Sequence, residues 1–236
     1  MIAIAFLTAL LPSLLMYMWI RKRYSDKPGY SDSCKSAFIG GFTVTVPVVL
    51  LDIVLVLIGY FTHLSDISEV LWEFYRTFLM FAFAEELWKF VCFKGILKKT
   101  KCEYSWYDVT AFMTLVGLGF EVIESIVLCF TMSPIQSIVR GITMMHGVFG
   151  FIMGYFYGKG LYTGKKINYV LSFLIPYLYH AIYDFTLSSS LDSIDWIAII
   201  PVTLAMLSVV LLIGMFVFFV KARKNEKYTA PLVKAE

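Results

Sequence analysis

Seven apolar stretches of membrane-spanning length run along this chain, at about residues 2–20, 37–62, 70–93, 108–131, 137–158, 168–189 and 195–220. A helix needs roughly 20 residues to cross the hydrocarbon core, and each stretch meets that length, some with room for tilt. Composition agrees: 59% of residues are hydrophobic and 16% charged, against roughly 45–50% and about 25% in soluble domains. The sequence therefore predicts an all-α, polytopic transmembrane helical bundle. Basic residues fix its expected orientation. Arg21, Lys22, Arg23, Lys27 and Lys35 follow the first stretch, Lys94, Lys98, Lys99 and Lys101 the third, and Lys159, Lys165 and Lys166 the fifth. Lys221, Arg223, Lys224, Lys227 and Lys234 follow the last, whereas the alternate loops carry Asp66, Glu69, Asp192 and Asp195. Lys and Arg collect on the cytoplasmic side, so the N-terminus is expected outside and the C-terminus inside.

The first stretch has no basic residues before it, so it reads as a retained span rather than a signal peptide. Cys34, Cys92, Cys102 and Cys129 are not expected outside the membrane in pairs, which predicts free thiols. No linker separates domains, so residues 1–236 read as one integral membrane domain. Its core motifs lie at 80–190, and a short cytoplasmic tail at 221–236 is expected to be mobile. The net charge of +3 gives no basis for a nucleic-acid partner. The expected surroundings are the lipid bilayer, as a multi-pass protein of the cell membrane.

Ionisable residues inside a span are costly and mark function by default. Here they cluster in the middle of the chain. Glu85, Glu86 and Lys89 lie in FAEELWKF, Glu121 and Glu124 in GLGFEVIES, His146 in MHGVFGFIMGYFYG, and His180 and Asp184 in YHAIYDF. Helical spacing puts Glu85 with Lys89, Glu121 with Glu124, and His180 with Asp184 on shared faces. Glu86 points about 100° from Glu85. Gly150, Gly154 and Gly158 form a stripe behind His146 that predicts close approach of a neighbouring helix. At about 1.5 Å per residue, Glu121, His146 and His180 lie at one depth, with Glu85 slightly deeper. Each residue alone has a plainer reading. Glu85–Lys89 is an intrahelical pair, the histidines are packing residues, and Asp52, Arg76 and Arg140 pair or snorkel. Together they imply one site near the midplane. Five acids there face one base, Lys89. Carboxylates so crowded cannot all ionise without protons or a bound cation. Two chemistries remain open on the residues alone. One is a divalent transition metal such as zinc, with His146, His180, Glu124 and Asp184 as the expected ligands. The other is a glutamate acting as general base on water.

The ordered set Glu85-Glu86-x-x-Lys89, Gly117-x-Gly119-Phe120-Glu121-x-x-Glu124, His146-x-x-x-Gly150 and His180-x-x-x-Asp184 resembles the PrsW family of intramembrane proteases. More distantly it resembles the CAAX-prenyl endopeptidase and bacteriocin-immunity superfamily, whose pattern is a Glu-Glu pair, Phe-x-x-x-His and His-x-x-x-Asn. Glu124 and Asp184 stand where that superfamily has His and Asn, which turns the expectation away from prenylated substrates. The resemblance implies hydrolysis of a peptide bond in or near the membrane, with a transmembrane protein substrate such as a membrane-bound anti-sigma factor. It also implies that Glu85 is the residue that activates water. Two competing classes share the same polar residues. A proton- or ion-coupled transporter would favour internal repeats, and the sequence shows none. A noncatalytic membrane scaffold would not need every motif position.

Overall fold

The structure, a computed structural model, describes residues 2–23, 25–130, 133–187 and 199–232. Asp192 and Asp195, two of the acids expected in an outer loop, lie outside the described residues. Among the described residues, each of the seven apolar stretches falls on helix for most of its length. The first is α1 (Ile2–Lys22) and the second α2 (Tyr30–Phe61), which continues through Pro47. The short α3 (Leu64–Ile67) follows. The third stretch is one helical run of three parts: α4 (Glu69–Phe74), a π-helix (Tyr75–Phe83) and α5 (Ala84–Lys99). Then come α6 (Trp106–Leu128), α7 (Pro134–Thr143), α8 (Met145–Thr163), α9 (Lys166–Thr186), α10 (Ile199–Lys221) and α11 (Glu226–Thr229). Among the described residues, four stretches are long and apolar enough to cross a membrane: Tyr30–Phe61, Trp106–Leu128, Ile135–Thr163 and Ile199–Lys224.

Helix α6 is the axis of the bundle, buried along almost its whole length. Its start is fixed by a capping box in which Ser105 and Asp108 satisfy each other's backbone donors, which anchors the first turn. Lys27, from the preceding loop, reaches the same Asp108 carboxylate at 2.5 Å. Glycines let two helices grip α6 from opposite sides. A Cβ at Gly150 would meet the Met113 carbonyl oxygen at 2.5 Å, and one at Gly154 would meet the Thr110 Cα at 2.8 Å. The predicted glycine stripe thus locks α8 onto α6. On the other side, Gly41 of α2 and Gly119 of α6 lie backbone to backbone, against Val116 and Phe38. Without a hydrophobic drive between helices in lipid, such close van der Waals contact is what holds them together. Helix α9 lies against α8 and the π-helix and closes the bundle. The outer faces of α2 and α10 carry exposed Val46, Leu50, Val54, Val202, Met206 and Ile213, as a lipid-facing surface requires.

Two local features were not anticipated. The expected span 137–158 is broken: α7 ends at Met144, which adopts φ 44° and ψ 50°, and α8 starts at the next residue. This left-handed conformation costs a non-glycine residue on the order of 1–3 kcal/mol. The third span passes through a π-helix directly before Glu85. The expectation of a mobile tail is corrected as far as residue 232. There the chain folds back on the start of α6, the Leu232 N–H donates to the Tyr104 carbonyl at 3.0 Å, and Tyr228 packs against Trp106. The four cysteines are free thiols.

Candidate metal centre

Four helices deliver the cluster: α5 brings Glu85, Glu86 and Lys89, α6 brings Glu121 and Glu124, α8 brings His146, and α9 brings His180 and Asp184. The structure brings all eight together, with Glu124 and Asp184 half-buried at the edge. Glu86, Glu121 and Lys89 are buried outright, and Glu85, His146 and His180 nearly so.

The break at Met144 determines how His146 is presented. First-turn N–H groups of a helix have no intrahelical acceptor. The His146 N–H, in the first turn of α8, donates to Glu121 Oε2 at 2.9 Å. Glu121 thus caps α8 from a neighbouring helix, and its other oxygen accepts from Ser125 Oγ at 3.4 Å. Gly117, one turn before Glu121, leaves room for the His146 carbonyl to press against α6.

Each imidazole is held from outside by a carboxylate. His146 Nε2 contacts Glu124 Oε2, and His180 Nε2 lies 3.2 Å from Asp184 Oδ2. The inner nitrogens face one another across a common space. His180 Nδ1 is 3.1 Å from Glu86 Oε1, and His146 Nδ1 is 2.9 Å from Lys89 Nζ. Lysine can only donate, so His146 Nδ1 accepts. Nε2 meets both Glu124 Oε2 and the Arg140 guanidinium, and the carboxylate is the closer of the two, which places the ring proton on Nε2, directed to Glu124. Outer carboxylates commonly fix metal-binding imidazoles in this way. His180 is different. A neutral ring carries one N–H, yet both of its nitrogens meet carboxylates.

Lys89 reaches both acids of its own helix, Glu85 Oε2 at 3.1 Å and Glu86 Oε1 at 2.9 Å. The two carboxylates expected to diverge by about 100° therefore converge through their flexible side chains. Arg140, read from sequence as a pairing or snorkelling residue, turns out to belong to the site. Its guanidinium pairs with Glu124, lies 3.5 Å from Glu121 Oε1 and comes within 3.1 Å of His146 Nε2. It is a second base for the cluster. Its position six residues before His146 gave no sign of this, because the two lie on separate helices either side of the break at Met144. Arg76 pairs with Glu73 at 2.9 Å, away from the cluster, and Asp52 has a buried Oδ1 with no hydrogen-bond partner among the described residues.

One donor atom from each of Glu85, Glu86, His146 and His180 lies within 4.8 Å of the others. Two imidazoles and carboxylates are a set that zinc and similar ions accept. Glu86 Oε2 is buried without a partner, so this carboxylate has unused coordinating capacity. The residues fit a divalent metal. The grouping differs from the quartet expected from sequence: Glu85 and Glu86 stand on the inner side, and Glu124 and Asp184 on the outer nitrogens.

A family model described as PrsW family intramembrane metalloprotease matches residues 34–220. Among curated relatives named Protease PrsW, that of Oceanobacillus iheyensis is 33% identical over 144 residues, covering 58% of this chain and 67% of the relative. That of Geobacillus kaustophilus is 28% identical over 180 residues, 74% of this chain and 75% of the relative. That of Bacillus subtilis is 26% identical over 183 residues, 75% and 78% respectively. No solved structure matches the chain.

Proposed function

The chain belongs to the PrsW family of intramembrane metalloproteases and is a multi-pass membrane protease, and on that premise we propose that Glu86, His146 and His180 hold the metal while Glu85 activates water. The observation that carries this reading is His180. Its two nitrogens lie 3.1 Å from Glu86 and 3.2 Å from Asp184, so with one ring proton an acceptor faces an acceptor. In the neutral ring with its proton on Nε2, toward Asp184, Nδ1 and Glu86 Oε1 are two lone-pair donors side by side, a pair that a bound cation would bridge. A bound divalent ion would supply Lewis acidity toward a peptide carbonyl.

The chain's own groups do the rest. Three protein ligands with an open position are the pattern of catalytic zinc sites, and Glu85 is the carboxylate left over. Its side chain is 11% exposed, against 0% for Glu86, so it is the one that water reaches. Glu85 takes the proton from water as the oxygen attacks the scissile carbonyl, then passes it to the leaving amine. Glu124 and Asp184 orient the two imidazoles. Arg140 offsets the charge of Glu124 and Glu121, and Glu121 fixes the backbone that carries His146.

The substrate must reach this depth as an extended segment, because a helix hides its carbonyls in its own hydrogen bonds. The glycine-locked α6–α8 seam is closed to it. We assign a membrane-anchored protein as substrate, with the anti-sigma factor class resting on the family resemblance alone. We also assign a seven-span, N-outside arrangement and a single domain over 1–236, both supported by the helices at every expected span and by the alternation of basic loops. Elemental analysis of detergent-purified protein tests the metal reading. The wild type is expected to hold one equivalent, and His146→Ala and His180→Ala to lose it. Retention of the ion by both variants would refute the assignment.

A further inference from the structure

Lys89 is 1% exposed. Its ammonium lies 2.9 Å from Glu86 Oε1, 2.9 Å from His146 Nδ1 and 3.1 Å from Glu85 Oε2, and 3.9 Å from the centre of the Phe120 ring. Three of these four neighbours belong to the four-residue group that can hold a metal. An imidazole nitrogen that is not protonated has a single lone pair. At His146 Nδ1 that pair is engaged by Lys89, so it cannot also bind a metal ion. The separations agree. Atoms 2.9 Å from an ammonium must draw in to about 2.0–2.2 Å from a zinc ion.

We propose that Lys89 is a resident cation that holds this site together in the metal-free protein, and that metal loading is an exchange of one cation for another. This rests on reading the cluster as a metal centre. For the ion to bind, the ammonium must leave His146 Nδ1 and Glu86. Glu85, one helical turn away, is already its third partner and keeps it after the exchange. Lys89 thereby has two successive roles. Before loading it stops four buried carboxylate and imidazole donors from facing one another uncompensated. After loading it is the counter-charge that keeps the base Glu85 ionised and pointed at the site. The intrinsic affinity of the ligand set is masked by this competition, and the protein folds before it acquires metal.

The test is zinc binding by metal-stripped, detergent-purified protein at fixed pH, against a chromophoric chelator. Lys89→Met keeps the aliphatic stem and removes the charge. With the competing unit charge gone, zinc should bind at least about tenfold tighter than in the wild type, a gain of about 1.4 kcal/mol. The metal-free variant should melt below the metal-free wild type and regain the difference on adding zinc. Lys89→Gln, also neutral, serves the same comparison if Lys89→Met is not monodisperse. Lys89→Arg, a larger cation in the same place, should bind zinc more weakly. If the wild type takes up one zinc and both neutral variants bind it equally or less tightly, the exchange is overturned and the metal centre stands. If the wild type and the neutral variants all fail to bind zinc, the metal centre itself falls, and the exchange with it.

Discussion

Replacing Gly117 by alanine drives a methyl group into the backbone carbonyl of His146. The added Cβ would lie well inside the ordinary contact range of 3.4–4 Å, and its obstacle is backbone that cannot rotate away. Helices α6 and α8 must therefore separate by about 1.4 Å or more to restore ordinary contact. Two energetic effects oppose each other. Alanine is favoured over glycine inside a helix by about 1 kcal/mol, whereas overpacking costs about 1–3 kcal/mol. The net loss is at most about 2 kcal/mol, a fall in melting temperature of roughly 4–8 °C for a chain of this size. The chemical effect is larger, because a displacement of about 1 Å at a catalytic group can cost about 10²-fold in rate. Gly117→Ala should thus remain folded, show a small shift in melting, and lose cleavage and zinc affinity together. Gly214→Ala is the control, since nothing lies within 4 Å of the added methyl: its cleavage should match the wild type, and its melting should equal or exceed it by the helix preference for alanine. Melting in detergent, zinc titration and cleavage of a membrane-anchored substrate read the three quantities separately. A Gly117→Ala protein with shifted melting but unchanged zinc affinity and cleavage would refute the argument that the α6–α8 seam sets the position of His146.

Other substitutions separate the roles within the cluster. Glu85→Gln keeps the shape of the base and removes its chemistry, so cleavage should fall by at least about 10²-fold while zinc content stays at the wild-type level. Glu124→Gln and Asp184→Asn remove the outer supports of the two imidazoles and should each weaken zinc binding by about 10–100-fold. The Glu124 change should cost more, because it also leaves Arg140 without its nearest carboxylate; equal affinity in both variants and the wild type would remove the orienting role. A cysteine placed at Asp192 should react with a membrane-impermeant thiol reagent from outside, and a reporter fused after Glu236 should behave as cytoplasmic. The reverse labelling would invert the topology.

The helices and the composition of the site were legible because hydropathy and helical spacing are local properties. The faces shared by Glu85 and Lys89, and by His180 and Asp184, follow from the geometry of a single helix, and both pairs form contacts. The glycine stripe named its role correctly, and the structure supplied the partner, α6. What spacing missed lies between helices or in backbone choices with no side-chain signal. The break at Met144 occurs without glycine or proline in the sequence Thr-Met-Met-His. It is stabilised by Glu121, 25 residues away, which no local pattern reveals. The π-helix before Glu85, YRTFLMFAF, has no glycine or proline to mark it. Arg140 joins the site through Glu124 and Glu121 of another helix, pairings that its own helical spacing does not reveal. Glu124 and Asp184 read as ligands from their motif positions; which nitrogen of each imidazole faces inward is a property of the packed bundle.

The central claim is that the ion sits on the inner nitrogens of the two histidines, beside the glutamate pair. Anomalous diffraction from zinc-loaded crystals at the zinc absorption edge locates it directly. The predicted peak lies between Glu86, His146 Nδ1 and His180 Nδ1, with Lys89 withdrawn toward Glu85. A peak on the outer side, against His146 Nε2 and Glu124 or His180 Nε2 and Asp184, would contradict the account.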